Sequence, residues 1–291
     1  MKQHSRSKQK LVGWLYGFLG VLIFSLTLPA TRIAVAELDS AFVGLGRAVI
    51  AAGLAVILLT VTRQPIPPKK LLPKFIVVAV GVVIGFPLLT AIAMKNAPAS
   101  YGAVIVGLLP LATALFGVWR GGERVSNSFW IFAFIGSGLV ICFALVSGTK
   151  AIAATDLALF GAVAVGGIGY AEGAILARTF GAWQVICWSL VLSCPILLPF
   201  VINSSPTSFS SILIAAWLGL FYVSIFSMFL GFFAWYRGLS EGGIAKVSQI
   251  QLVQPFLTIV ASGILLNEPL SILTFGFAIA VIVCVALSKQ F

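Results

Sequence analysis

The apolar runs of this chain limit its fold more than any other feature, because each is long enough to cross a lipid bilayer. A helix that spans the hydrocarbon core needs roughly 20 apolar residues, and the sequence contains ten such runs with short polar connections between them. We predict ten membrane-spanning helices near residues 12–35, 41–62, 73–95, 99–119, 128–147, 156–177, 183–202, 212–235, 244–265 and 270–288.

The composition favours a membrane protein over a soluble domain. Apolar residues make up 60% of the 291-residue chain and charged residues 9%, whereas a soluble domain has roughly 25% charged residues. Runs such as "AVIAAGLAVILL" do not alternate polar and apolar residues as the strands of a membrane barrel do. The predicted fold class is therefore an all-α polytopic membrane protein.

The distribution of lysine and arginine predicts the orientation of the chain. If the N-terminus is inside, only Arg32, Lys95 and Lys150 fall outside and Arg47 lies within the second run, while the other basic residues lie on or near the inner side. The positive-inside rule then predicts a multi-pass protein of the plasma membrane with both termini cytoplasmic. The net charge of +11 is thus explained by membrane orientation, and we expect no nucleic-acid partner.

The tryptophans support the same assignment of runs. All seven lie near predicted ends, where an aromatic belt at headgroup level is expected: Trp14, Trp119, Trp130, Trp183, Trp188, Trp217 and Trp235.

The chain contains an internal repeat at an offset of 145 residues. The segments "IVGLLPLATALFGVWRGGERVSNSFWIFA" (105–133) and "IQLVQPFLTIVASGILLNEPLSILTFGFA" (250–278) share the pattern Pro-x2-Thr-x9-Glu. In this register Pro110 matches Pro255, Thr113 matches Thr258, and Glu123 matches Glu268.

The repeat predicts two inverted halves. Residues 1–150 and 151–291 each contain five runs, so the second half enters the membrane in the opposite orientation. Inverted five-helix repeats suit alternating access, in which a central site opens first to one side and then to the other.

Several motifs, in this order and spacing, resemble the EamA-type branch of the drug/metabolite transporter superfamily. They are "LPATRIAVAELDSAFVGLGRAVIAAG" across runs 1 and 2, "AIAMKNAPAS" before run 4, Pro-x12-Glu ending runs 4 and 9, and "GYAEGAILAR" ending run 6. The resemblance covers nearly the whole chain. It implies ten spans, inner termini, export of small polar metabolites such as amino acids, and a central cavity lined by spans 1–4 and 6–9. At position 172 the family more often has an apolar or small residue, so no role is carried over to Glu172.

Glu172 is a carboxylate inside an apolar run. A charge at mid-membrane costs roughly 2.5–3.5 kcal/mol by insertion scales, and such residues usually face a cavity or a partner. One interpretation is that Glu172 borders a wet cavity and couples transport to protons. The other is that it bends toward the headgroups or pairs with a nearby arginine, since it lies ~7.5 Å from the inner end of the run.

Polar residues of run 9 share one helix face. Gln251, Gln254 and Thr258 recur at i, i+3 and i+7. Buried amides need partners, so these residues either line a cavity or join helices by hydrogen bonds. Lys246, near the inner end, either contacts the substrate or extends its amine to the interface.

Arg47 and two prolines complete the candidate residues. Arg47 either pairs with Glu37 and Asp39 or binds a substrate carboxylate, which a guanidinium recognises well. Pro110 and Pro255 occupy equivalent repeat positions and each removes a backbone donor, so we predict that they act as hinges.

The sequence favours a secondary transporter of a small-molecule substrate in a lipid bilayer. HExxH, GxSxG and Walker-type motifs are absent, and the single histidine, His4, lies in the N-terminal tail. We therefore expect no enzyme activity, metal or cofactor. The main alternative to a carrier is a channel, and a membrane enzyme is a less favoured alternative. The sequence leaves open whether two copies form a homodimer.

Overall fold

The computed structural model describes residues 2–122, 127–147 and 154–290, and within these ranges the chain is a bundle of helices without strands. The bundle consists of α1 (Leu11–Val35), α2 (Ser40–Val61), α3 (Lys69–Asn96), α4 (Ala99–Gly121), α5 (Asn127–Ser147), α6 (Ala154–Phe180), α7 (Ala182–Asn203), α8 (Ile214–Gly242), α9 (Ile244–Leu266) and α10 (Ile272–Gln290). The helix that contains α1 begins further upstream, at Lys2.

Eight of these helices, all except α5 and α10, are long and apolar enough over their described residues to cross a membrane. Large apolar side chains such as Ile57, Ile76 and Phe134 point outward and are exposed, as expected for a surface that contacts lipid. The prediction of a polytopic helical protein is confirmed, and the crossing of all ten helices remains a prediction.

Three helices are interrupted in the middle of the bundle. In α1, Leu26 separates Lys2–Ser25 from Thr27–Val35, because Pro29 has no N–H to donate to the carbonyl of Ser25. In α4, Gly107 and Leu108 separate Ala99–Val106 from Leu109–Gly121.

The third interruption, in α9, inserts a 3-10 segment. Gln249–Val253 lies between the short helix Ile244–Ser248 and the longer helix Gln254–Leu266. Two further helices contain π-helical turns, at Ala79–Gly85 of α3 and Tyr222–Gly231 of α8. Such turns widen the helix and are frequent at functional sites.

The second parts of α4 and α9 have the same construction. Both are 13 residues long, and both have a proline in the first turn, Pro110 and Pro255. Proline is tolerated there because the first N–H groups of a helix have no partner within it. The prolines, which were predicted to act as hinges, therefore lie just after an interruption. Both segments end at a left-handed residue, Gly122 with φ 66° and Asn267 with φ 52°, conformations that glycine and asparagine tolerate.

Helices of the two predicted halves pack against each other throughout the bundle. α1 packs on α8, α2 on α7, α3 and α4 on α6, and α5 on α10. The boundary between the halves, and Glu123, lie outside the described residues.

The glycines of α6 allow its close packing. A Cβ on Gly167 would lie 2.7 Å from the Cβ of Ala112 in α4, and a Cβ on Gly173 would overlap the ring of Tyr236 in α8. Small residues of this kind let helix backbones approach each other closely, so α6 reaches the middle of the bundle.

Candidate functional site

The interrupted parts of α1, α4 and α9 meet in a pocket at the middle of the bundle, which we call the central site. Its two adjoining parts are lined by Phe24, Thr27, Leu28, Arg47, Phe86, Ala103, Val106, Tyr170, Ser227, Phe232, Gln251, Gln254, Pro255 and Thr258. The space that a water could enter is about 10 Å³ in one part and about 0 Å³ in the other. A single water needs roughly 10–15 Å³, so the central site has room for one water at most in this conformation.

Arg47 of α2 brings a positive charge into the central site. The residue is 2% exposed, and its Nε and Nη1 have no hydrogen-bond partner in the structure. The two carboxylates that could have paired with it bind backbone amides instead. Asp39 caps α2 by accepting from Ala41 N at 2.7 Å, and Glu37 accepts from Leu213 N at 2.6 Å. The first interpretation of Arg47, pairing with these carboxylates, is thus not what the structure contains.

The amides and hydroxyl of α9 connect it to the interruption in α1. Gln251 Nε2 donates to Gln254 Oε1 at 3.1 Å, and Gln254 Nε2 lies 3.5 Å from the carbonyl oxygen of Phe24. Thr258 donates to the carbonyl oxygen of Ser25 at 2.7 Å. This is the carbonyl that Pro29 deprives of a helical donor. The same residues therefore line the pocket and join two helices, which combines the two interpretations of this face.

The aromatic rings of Phe24, Tyr170 and Phe232 form one wall of the central site, and Trp235 contacts the first two of them. The aromatic cluster consists of Phe24, Tyr170, Phe232 and Trp235, with ring centroids separated by 5.3 to 6.3 Å for the pairs that include Phe24. Tyr170 lies close enough to interact with both Arg47 and Gln251. None of these aromatic residues was singled out from the sequence as part of a site, because aromatic residues are common in apolar runs.

The placement of Trp235 at a membrane interface was wrong. The residue is 0% exposed, because α8 continues to Gly242, seven positions beyond the predicted end at 235. Its indole Nε1 is buried without a hydrogen-bond partner.

Glu172 lies outside the central site, in a second cavity. We call the end of the bundle where α1, α3, α7 and α9 begin the basic end, and this second cavity the basic-end cavity. Lys74, Trp119, Arg120, Glu172 and Ile175 line this cavity of about 270 Å³.

Arg120 and Glu172, which both line the basic-end cavity, form an ion pair. Glu172 is 2% exposed and Arg120 is 41% exposed. Arg120 donates to Glu172 Oε2 from Nη2 at 2.8 Å and from Nε at 3.0 Å. The pair joins the end of α4 to α6, which corresponds to the second interpretation of Glu172, pairing with an arginine.

At the opposite end of the bundle, Glu268 joins α9 to α4. We call this the Glu268 end. Glu268 follows α9, and its two carboxylate oxygens accept from Ala99 N at 2.7 Å and Ser100 N at 2.9 Å. These are the first amides of α4, where the helix dipole favours a negative charge. The internal repeat had matched Glu268 to Glu123, without predicting this contact.

The structure thus divides the predicted site residues into groups. Arg47, Gln251, Gln254 and Pro255 line the central site. Glu172 lies in the basic-end cavity, and Lys246 is exposed on α9, outside the lining of both cavities.

Comparisons with known proteins agree with a membrane transporter. The sequence profile of the EamA-like transporter family matches residues 11–146 and again residues 153–289. The uncharacterized transporter YdeK of Bacillus subtilis (strain 168) is 50% identical over 279 residues, which cover 96% of this chain and 97% of YdeK. The uncharacterized transporter YvbV of the same organism is 25% identical, with 94% of this chain and 88% of YvbV covered. One protein of known crystal structure shares the fold, with a TM-score of 0.69 at 18% identity and 96% of each chain covered.

Proposed function

Because the chain belongs to the EamA-like transporter family, we propose that it is a secondary transporter that exports a small polar metabolite, such as an amino acid, by alternating access. The observation that carries this proposal is the central site, a narrow pocket with polar and apolar lining at which three interrupted helices meet. Interrupted helices leave backbone and side-chain groups free at mid-membrane, where transporters bind their substrates.

Alternating access is supported by similarities between the two halves. The family profile matches once in each half, at 11–146 and 153–289. The segments Leu109–Gly121 and Gln254–Leu266 have equal lengths and equivalent prolines. The packing of α1 on α8 has its counterpart in the packing of α6 on α3. We therefore propose two inverted five-helix halves, 1–150 and 151–291, with ten spans and both termini cytoplasmic.

One contact at each end would serve as a gate. The Arg120–Glu172 ion pair joins α4 to α6 at the basic end, and the contact of Glu268 with the first amides of α4 joins α9 to α4 at the other end. Both gates involve α4, which is interrupted just before Pro110. In this proposal the interruptions before Pro110 and Pro255 are the hinges, because no regular helix has to break there when the end segments move.

We further propose that protons act through Glu172. Protonation removes the charge that holds Arg120, and the basic-end cavity gives water a path to the carboxylate. Lys74 and Arg120 are the other charged groups that line this cavity. The variant Glu172→Gln is therefore expected to transport without a response to ΔpH. An unchanged response in this variant would exclude proton coupling through Glu172.

A carrier is favoured over the alternatives by two observations. The family and the names of the relatives point to a transporter rather than an enzyme. A channel that is open at rest needs a continuous water path, whereas the central site has room for one water at most.

Counterflow in proteoliposomes tests the proposed function. Vesicles containing the purified protein are loaded with a pool of amino acids and other small metabolites, and entry of each radiolabelled solute is measured with and without ΔpH. We expect saturable uptake that requires unlabelled solute inside and is inhibited by a competitor. Conductance without counterflow in a folded preparation would favour a channel and contradict the proposal.

A further inference from the structure

We propose that the substrate is a small organic carboxylate, whose anionic group binds Arg47 and whose apolar or aromatic body packs against the aromatic cluster. This inference rests on the proposed transporter function. It narrows the substrate from small polar metabolites in general, amino acids included, to carboxylates that carry a net negative charge.

The pairing of the other buried charges singles out Arg47. Three charged side chains are buried among the described residues, and two of them have partners. Glu172 is paired with Arg120 at 2.8 Å, and Asp156 accepts from the hydroxyl of Tyr101 at 2.5 Å. Arg47 keeps two of its three guanidinium nitrogens without an acceptor. Since a buried charge is costly unless it is paired and hydrogen-bonded, this arginine lacks a partner that a ligand could provide.

The sign of the missing partner follows from the lining of the central site. Arg47 is the only charged side chain among the described residues that line it. A cation would meet a like charge there, and a zwitterion would leave the positive charge of the site without a net counter-charge. A monoanion neutralises the site and supplies acceptors for the free N–H groups, which bind carboxylates strongly.

The remaining walls indicate what the anion is attached to. Phe24, Phe86 and Phe232 line the site together with Leu28 and Val106. An inorganic anion would lose its hydration against these walls without compensation, because apolar side chains offer no hydrogen bonds. An apolar or aromatic body would bury its surface there. The lining therefore fits an organic carboxylate better than sulfate, phosphate or chloride.

The test compares ligands of one shape and different charge on the full-length protein in detergent. Phenylacetate is compared with neutral phenylacetamide, cationic phenethylamine, zwitterionic phenylalanine and ring-free acetate, and a panel of branched aliphatic and aromatic carboxylates extends the series. Binding is measured by calorimetry. We expect carboxylates with an apolar body to bind at least tenfold more tightly than the amide, the amine, zwitterionic phenylalanine and acetate.

Two variants of Arg47 locate the site, and one variant of Arg32 is their control. Arg47→Gln is expected to lower phenylacetate affinity by about tenfold or more, and Arg47→Lys to lower it less, because it keeps the charge. Arg32→Gln is the matched control, since Arg32 donates to the carbonyl oxygen of Met94 and does not line the central site. It should bind phenylacetate as the unmodified protein does.

The ligand series tests the inference even if an Arg47 variant does not fold. Equal binding of amide and carboxylate, or binding by no carboxylate of the panel, would overturn it. Unchanged affinity in a folded Arg47→Gln variant would also overturn it. Counterflow of a metabolite that no carboxylate inhibits would refute the carboxylate inference and leave the transporter function standing. Tight carboxylate binding without exchange of any solute would contradict the transporter function and leave carboxylate binding at Arg47 standing.

Discussion

Replacing Thr258 by valine should destabilise the protein, because it removes the hydrogen-bond donor of one buried carbonyl group, that of Ser25. Thr258 donates to the carbonyl oxygen of Ser25 at 2.7 Å, and both residues are buried. Pro29 cannot donate to this carbonyl, so the threonine hydroxyl takes the place of a missing backbone bond. Valine has nearly the same shape and leaves the carbonyl without that donor.

The size of the effect follows from the cost of an unsatisfied buried group. Leaving a buried acceptor without a partner costs about 1–3 kcal/mol in soluble proteins. Side-chain hydrogen bonds inside membrane proteins average about 0.6 kcal/mol and reach about 1.7 kcal/mol. Because the interruption of α1 leaves few alternative donors, we expect Thr258→Val to lower the free energy of unfolding by about 1–2 kcal/mol.

The repeat supplies a matched control, Thr113→Val. Thr113 is the equivalent residue of α4, is 0% exposed, and donates at 2.8 Å to the carbonyl oxygen of Leu109 in its own helix. That carbonyl also accepts the regular i→i−4 backbone bond, so losing the hydroxyl should cost clearly less. Equilibrium unfolding in mixed micelles measures both variants. Equal stability of the two variants would refute the role assigned to Pro29 and Ser25.

Three further variants test the packing of α6 and the contact at the Glu268 end. Gly173→Ala should destabilise the fold by about 1–3 kcal/mol, because the added Cβ overlaps the ring of Tyr236. The control is Gly53→Ala, where no atom lies within 4 Å of an added Cβ. A melting temperature of Gly173→Ala no lower than that of Gly53→Ala would contradict this packing. Glu268→Gln removes a charge from the start of α4 and should weaken closure there by about 0.5–2 kcal/mol. Hydrogen exchange at the amide of Ala99 should then be several-fold faster, and an unchanged rate would show that the carboxylate does not hold this end closed.

The apolar runs predicted most of the fold, because run length and hydrophobicity depend on local sequence alone. The end of α8 was an exception. Its predicted end at 235 precedes Arg237, the first charge after the run, whereas the helix continues to Gly242. Arg237 is accommodated at the surface by Glu241 and Tyr16, so a charge did not mark the helix end. Trp235 was consequently predicted at an interface, although it lies in the core.

The partners of the buried charges could not be predicted, because they depend on which helices become neighbours. Arg120 and Glu172 are 52 positions apart and meet only because α4 packs on α6. Glu37 and Asp39 lie near Arg47 in sequence, yet their carboxylates accept from backbone amides. The sequence therefore identified Arg47 and Glu172 as unusual residues and left two interpretations of each.

The aromatic cluster and the interruption of α1 were also not predicted as parts of one site. Pro29 is one of 13 prolines, and its effect depends on a donor, Thr258, in a distant helix. The repeat directed attention to Pro110 and Pro255, which recur in register, whereas Pro29 has no equivalent proline in the second half.

Access to the central site from the two sides of the membrane tests alternating access most directly. Ser227 lines this site, so Ser227→Cys in an otherwise cysteine-free protein places a reactive thiol there. A membrane-impermeant maleimide is applied to vesicles of either orientation, with and without the additional substitution Glu268→Gln. The account predicts that the thiol reacts from both sides, and that Glu268→Gln increases labelling from the Glu268 end while it decreases labelling from the basic end. Labelling that rises from both sides together, or that occurs from one side only in both proteins, would contradict alternating access.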